Sequence, residues 1–150
     1  WELLEVKEHL VNSLRDWDEQ EGMKKAYVDT AHHILPKLER RTVWKIKQTP
    51  KDPNYCYSKR IYYQDPESWW MMWQEMYDRS GELWKSLDQH VAVFPNPDKY
   101  GGGQVMINCA GDATDYKIWE SGPYYHTNIK LNIDIDPGKF TLDALRRIGR

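Results

Sequence analysis

Cysteine is scarce in this chain of 150 residues, which holds only Cys56 and Cys109. Two cysteines cannot build the set of disulfide bonds that stabilises many small secreted proteins, and they cannot supply a zinc site with four cysteine ligands. Chains with so few cysteines are typical of reducing compartments. The cysteine content therefore predicts an intracellular protein.

Long apolar runs and a strong charge of either sign are also missing. No segment approaches the roughly 20 apolar residues of a membrane-spanning helix, and no signal peptide is visible, so the sequence predicts no membrane partner. The formal net charge is −2 and the isoelectric point is near 6.2. This overall charge does not predict nucleic-acid binding, although a local basic strand or groove stays open as an alternative.

Aromatic residues, in contrast, are plentiful: the chain has 8 tryptophans and 10 tyrosines. Both side chains combine a large apolar body with a hydrogen-bonding tip, which suits a protein core, a pocket wall or an interface. The length is that of one ordinary domain, and we interpret residues 1–150 as a single domain. Because the chain begins at Trp1 rather than Met, we expect a domain excised from a longer protein.

Residues 65–89 predict one long amphipathic helix around which the rest of the chain is organised. Asp65 is a favourable N-cap, and Pro66 suits the first helical position. Gly81 is either a tolerated glycine on the solvent side or a break that divides the helix. Large apolar residues recur at helical spacing and are expected to be buried, namely Trp69, Trp73, Met76, Leu83 and Leu87.

The remaining segments complete an α+β fold, with two N-terminal helices and a mainly antiparallel sheet that the long helix crosses on one face. The apolar spacing predicts helices at residues 2–17, 23–38 and 142–148, the last capped by Thr141. Alternation and turn signals predict strands at residues 42–47, 55–63, 91–94, 105–109, 116–119 and 127–135.

Two aspartates at the end of the last predicted strand are candidate metal ligands. Asp134 and Asp136 are two residues apart, so on a strand they point to the same face. Carboxylate oxygens so placed can share a hard divalent cation such as Mg²⁺ or Mn²⁺. Alternating apolar and acidic residues are equally typical of an ordinary half-exposed strand, which is the alternative.

An apolar run that leads into Asp134-x-Asp136 resembles the first catalytic motif of the archaeo-eukaryotic primase-polymerase superfamily. The resemblance implies a nucleotidyl-transfer domain that depends on Mg²⁺ or Mn²⁺, with both aspartates as catalytic metal ligands. A nucleotide or nucleic acid would be the partner, and Lys59 and Arg60 on a basic strand would contact its phosphates. The residues after Asp136 contain no Ser or His for the family's second motif. The resemblance thus covers the N-terminal half of such a domain.

Two interpretations without catalysis stay open beside this one. The chain can be a binding module whose sheet and long helix enclose an aromatic pocket for a small molecule or a peptide. It can also be a protein-interaction domain that uses exposed tryptophans as binding hot spots.

Overall fold

The computed structural model describes residues 1–12, 38–96, 98–126 and 129–149. Seven strands form one antiparallel sheet in the order β1-β2-β3-β4-β5-β6-β7, so each strand pairs with the next one along the chain. Their bounds are β1 Glu2–Asn12, β2 Leu38–Gln48, β3 Lys59–Gln64, β4 Met71–Tyr77, β5 Leu83–Pro95, β6 Gln104–Asp115 and β7 Glu120–Tyr125. Short 3₁₀ turns lie at Asp98–Tyr100 and Pro137–Phe140, and helix α1 spans Leu142–Ile148.

The sheet is strongly curved because β-bulges interrupt its strand pairing. The register shifts four times, leaving one unpaired residue each time: Leu4, Met72, Trp84 and Cys109. A bulge bends its strand and increases the local twist. The curvature is large enough that β1 contacts β4 and β5, although β2 and β3 lie between them in the sheet.

The apolar core lies where these distant strands approach one another. Val11 of β1, Val43 of β2, Met72 of β4 and Val91 of β5 form a buried cluster. Partly buried side chains pack around this cluster, namely Tyr63, Trp70, Val93 and Met106. Because the four strands contribute one residue each, the curvature of the sheet and the burial of the core depend on each other.

The predicted long helix at residues 65–89 is wrong, since this stretch forms β4, a tight turn and the first half of β5. Asp78 closes the turn: its Oδ1 accepts hydrogen bonds from the Ser80 hydroxyl at 2.6 Å and the Glu82 backbone N–H at 3.0 Å. Gly81 adopts the left-handed conformation, with φ of 90°. Of the residues expected to be buried, Trp69 is 66% exposed and Leu83 is 40% exposed.

The predicted α+β fold class is wrong as well, because it depended on that helix. The N-terminal helix predicted at residues 2–17 is also wrong where the structure describes it. Residues 2–12 form a strand, and Leu3, Val6 and Leu10, which helical spacing placed on a buried face, are exposed. The second predicted helix, at residues 23–38, lies outside the described residues except for Leu38, which begins β2. Pairing of β1 with β2 along nearly the whole length of both strands accounts for the extended conformation.

Several local predictions are confirmed, and two strands are not. The predicted strands at 42–47, 91–94 and 105–109 lie within β2, β5 and β6, and the strand predicted at 55–63 begins only at Lys59. Residues 116–119 form a turn rather than a strand, and residues 129–135 are not a strand. Helix α1 is confirmed with its cap, because the Thr141 hydroxyl accepts a hydrogen bond from the Ala144 N–H at 3.2 Å.

Candidate ligand-binding cavity

A cavity of about 330 Å³ opens where β1 and the start of β2 face the middle of the sheet. Its size falls in the range of small-molecule sites, which are mostly apolar with a few placed polar groups. The apolar lining consists of Leu10, Val11, Leu38, Met72 and Trp73. The polar lining consists of His9, Tyr63, Glu75 and Asp88. This composition suits a ligand with an apolar body and a polar end.

Strand register explains why these side chains share one wall. Tyr63 on β3 is paired with Trp73 on β4, and Trp73 is paired with Asp88 on β5, so all three point to the same face. The unpaired Met72 precedes Trp73 and is buried against the same core. From β1, the His9 ring meets the Tyr63 ring edge-on, with centroids 5.2 Å apart. The curvature of the sheet thus brings β1 over the wall formed by β3, β4 and β5.

Glu75 is held at the cavity by two phenols. Its Oε1 accepts a hydrogen bond from the Tyr63 hydroxyl at 3.2 Å, and its Oε2 accepts one from the Tyr77 hydroxyl at 2.8 Å. Burial raises the pKa of Tyr77 to about 12, and the neighbouring Glu75 carboxylate adds to the rise. Burial and Glu75 also raise the pKa of Tyr63. Both tyrosines therefore stay neutral donors at ordinary pH.

Asp88 is the second carboxylate of the lining. Its Oδ1 accepts a hydrogen bond from the Asp112 backbone N–H at 2.8 Å, and its Oδ2 lies 3.2 Å from His90 Nε2. In the part of the chain that the structure describes, no Lys or Arg forms an ion pair with Glu75 or Asp88. His9 Nε2 is buried and has no hydrogen-bond partner among the same residues. The polar lining of the cavity thus includes two carboxylates and a histidine whose Nε2 has no hydrogen-bond partner among the described residues.

A second, wider cavity of about 700 Å³ lies around Arg41 and Asp65. The Arg41 guanidinium makes ion pairs with three carboxylates there, those of Glu39, Asp65 and Glu67. Its charge is therefore already compensated and is poorly suited to an anionic ligand. The apolar cavity beneath β1 is the stronger candidate for a binding site.

Comparison with known proteins places the chain in a family. A family model described as "Protein of unknown function (DUF1329)" matches residues 1–146. The chain belongs to the DUF1329 family. None of the curated proteins matches this DUF1329 chain. The resemblance to primase-polymerases is therefore wrong, and the nucleotidyl-transfer function that it implied is not supported.

A solved structure shares the fold of this DUF1329 chain. It is a domain from Vibrio parahaemolyticus that is named for outer membrane lipoprotein sorting, and it superposes with a TM-score of 0.57 at 22% sequence identity. The match covers 71% of this chain and 43% of the other, so the DUF1329 chain spans less than half of its neighbour's length. At this identity the likeness shows the fold alone. The prediction of an intracellular protein is contradicted by this neighbour, which is named for outer membrane lipoprotein sorting.

The predicted metal ligands lie outside the strands of the sheet. Asp134 and Asp136 are exposed and follow β7, and Asp136 caps a 3₁₀ turn by accepting a hydrogen bond from the Gly138 N–H at 2.9 Å. Across residues 1–12, 38–96, 98–126 and 129–149, no group of three or more His, Cys, Asp or Glu could hold a metal ion. Binding of Mg²⁺ or Mn²⁺ by the two aspartates stays an untested prediction.

Lys59 and Arg60, the residues predicted to contact phosphates, lie beside tyrosine rings. Lys59 Nζ lies 4.2 Å from the centre of the Tyr77 ring, and the Arg60 guanidinium lies within 5.4 Å of the centres of the Tyr55 and Tyr57 rings. No hydrogen bond or ion pair within the described segments joins Lys59 or Arg60 to Asp134 or Asp136. A shared phosphate and metal site of these four residues stays an untested prediction. No described helix is long and apolar enough to cross a bilayer.

Sequence reasoning missed the cavity because most of its residues were assigned to helices. His9, Leu10 and Val11 fell in the first predicted helix, and Trp73, Glu75 and Asp88 in the long one. A signal was present between β4 and β5, where Asp78-Arg79-Ser80-Gly81 separates two aromatic-rich segments. Short Gly-containing loops between such segments are typical of β-hairpins.

Proposed function

We propose that this chain binds the acyl tail of a lipid or of a lipid-modified protein in the cavity lined by residues of β1 to β5. The observation that carries the proposal is the largely apolar cavity of about 330 Å³ under the curved sheet, with Tyr63, Glu75 and Asp88 on the wall that β3, β4 and β5 form. Apolar clefts with a few convergent polar groups are the usual form of a ligand site. Burying an alkyl chain contributes about 0.8 kcal/mol for each methylene group.

The fold neighbour supports this class of ligand, since it is named for outer membrane lipoprotein sorting. A lipoprotein carries acyl chains that must be shielded from water whenever the protein leaves a membrane. A periplasmic or envelope-associated location, and a role in the transfer of such lipids, are part of the proposal. It agrees with the binding-module interpretation of the sequence and requires no catalysis and no nucleic acid.

Binding of a fluorescent alkyl probe tests the proposal. N-dodecyl dansylamide is uncharged, and its emission increases and shifts to the blue when the dansyl group leaves water. We expect saturable binding in the micromolar range, equivalent to about −8 kcal/mol. The absence of saturable binding would contradict an acyl-chain site.

A matched pair of variants locates the bound probe. Leu10 lines the cavity and is 68% exposed, while Leu145 on α1 is 67% exposed and lies outside the cavity. Leu10→Glu places a charge at the rim of the cavity, with little cost to folding, and should weaken probe binding at least about tenfold. Leu145→Glu should leave it unchanged. Equal losses in both variants would indicate nonspecific adsorption to exposed apolar surface.

A further inference from the structure

Two carboxylates on the wall of an apolar cavity affect which ligand heads the cavity accepts. Glu75 on β4 and Asp88 on β5 both line it, and the side chain of Asp88 is only 14% exposed. Asp88 is paired with Trp73, two residues before Glu75, so Glu75 and Asp88 are diagonal neighbours on one face, with Cα atoms roughly 7 Å apart. A ligand head that reaches this wall meets both of them.

The positive charges near this wall do not offset the two carboxylates. Lys45 Nζ lies 5.3 Å from the centre of the Tyr63 ring and pairs at 3.4 Å with the Glu5 carboxylate, which also pairs with Lys7 at 3.0 Å. Glu5, Glu75 and Asp88 together still outnumber these two lysines. His90 contacts Asp88, and His9 Nε2 has no hydrogen-bond partner within the described part of the chain. Glu75 receives its hydrogen bonds from the neutral phenols of Tyr63 and Tyr77. The wall therefore carries an excess of negative charge wherever these imidazoles are neutral.

We propose that the cavity selects its ligands by the charge of the head group, accepting acyl or alkyl tails with neutral or cationic heads and rejecting free fatty-acid carboxylates. This inference rests on the proposed function. A third carboxylate beside Glu75 and Asp88 would be repelled at short range, where the cavity walls exclude screening water. An amide or ester carbonyl carries no net charge, and an amine brings a cation that pairs with the wall. Acyl chains linked to a protein or to glycerol are thus the matching ligands.

Displacement of N-dodecyl dansylamide by three ligands with one tail length tests the selection. The competitors are dodecylamine, N-methyl dodecanamide and dodecanoate, each kept below its micelle concentration at about pH 8, where an unperturbed imidazole is neutral. We expect the amine and the amide to displace the probe at concentrations at least about tenfold lower than dodecanoate does. Similar potency for all three ligands, or a preference for dodecanoate, would overturn the selection and leave the acyl-chain site intact. Failure of the probe itself to bind would overturn both proposals.

Variants that remove the charges of Glu75 and Asp88 test whether these two residues cause the selection. The double variant Glu75→Gln and Asp88→Asn should bring the three competitors to within about threefold of one another. The control double variant, Glu82→Gln and Asp143→Asn, removes the same net charge at exposed positions and should keep the full discrimination. Asp88→Asn alone retains an oxygen to accept the Asp112 N–H and serves if the double variant does not fold. Unchanged discrimination in the folded cavity variants would refute the assignment.

Discussion

The guanidinium of Arg41 on β2 holds the buried carboxylate of Asp65 at the end of β3, with Arg41 Nε 3.0 Å from Asp65 Oδ1. The other carboxylate oxygen accepts hydrogen bonds from the Ser68 N–H at 2.8 Å and the Ser68 hydroxyl at 2.6 Å. Asp65 is 1% exposed, whereas Glu67, which also pairs with Arg41, is 81% exposed at its side chain. The Arg41–Asp65 pair therefore fixes the turn that leads from β3 into β4.

We expect Asp65→Ala to lower the free energy of unfolding by about 3 to 5 kcal/mol, because it leaves Arg41 and Ser68 without a buried partner. Glu67→Ala removes another carboxylate from the same guanidinium and serves as the control. Its cost should stay below about 1 kcal/mol, because exposed ion pairs contribute little. Urea unfolding of both variants measures the difference. Equal costs would mean that burial does not distinguish the two ion pairs.

The same carboxylate makes stability depend on acid. Burial alone would raise the pKa of Asp65, but hydrogen bonds from Ser68 and the Arg41 guanidinium outweigh it and lower the pKa below 3.8. A lowered pKa contributes stability above the unfolded-state value, and this contribution is lost as the pH falls through the folded-state value. The difference in stability between wild type and Asp65→Ala should therefore shrink below about pH 4. Urea midpoints across the acid range test this, and a constant difference would contradict it.

The sequence predicted capping hydrogen bonds correctly where they join residues only a few positions apart. Thr141 caps α1 as predicted, and Asp65 does accept capping hydrogen bonds three residues along the chain. The cap at Asp65, however, closes a turn at residues 66–68, after which Trp69 adopts a positive φ of 61° and β4 begins. A cap marks where a turn starts, but it does not determine whether a helix continues from it.

The strands were missed because β-bulges break the alternation that identifies them. The unpaired Met72 and Trp84 each shift the inward and outward pattern by one residue, which leaves apolar spacings that also fit a helix. The cavity could not be predicted for a further reason. Its lining comes from five strands, and only the curvature of the sheet brings His9 to Tyr63. That curvature is a property of the assembled sheet rather than of any one segment.

Gly81→Ala should destabilise the turn between β4 and β5 by about 1 kcal/mol, because φ is 90° there and L side chains rarely adopt this conformation. An added Cβ would meet no atom within 4 Å, so the cost isolates backbone strain. Gly122→Ala on β7 is the matched control. It also has free space for a Cβ, without the positive φ, and should change stability by less than about 0.5 kcal/mol. Indistinguishable unfolding midpoints for the two variants would argue against this turn geometry.

Alkaline titration should show Tyr77, beside Glu75, ionising late. Because burial and Glu75 raise the pKa of Tyr77 from 10.0 to about 12, its neutral form stabilises the fold below pH 10, and that contribution is lost as the pH rises through about 12. Tyr77→Phe should cost about 1 kcal/mol at neutral pH and flatten the stability loss in this alkaline window. Urea unfolding of wild type and Tyr77→Phe across this alkaline window measures the difference, and equal slopes would contradict the prediction.

Gly111 on β6 lies where β5 and β7 approach too closely for a side chain. A Cβ there would lie 2.5 Å from the backbone oxygen of Asp88 and 2.5 Å from the Tyr124 hydroxyl oxygen. The Tyr124 side chain can move, but the Asp88 backbone is held in the ladder that pairs Gln89 with Gly111. Gly111→Ala should therefore destabilise the protein by more than Gly81→Ala does, on the order of 2 to 3 kcal/mol.

A double-mutant cycle separates the two clashes at Gly111. In a Tyr124→Ala background the hydroxyl is absent, so Gly111→Ala should cost less than it does in wild type, with a coupling of about 1 kcal/mol. The remaining cost should stay well above zero, because the contact with the Asp88 backbone persists. Loss of the whole penalty would assign the constraint to Tyr124 alone. If the costs of the two substitutions simply add, the constraint on Gly111 comes entirely from the β5 backbone at Asp88, the residue that lines the cavity.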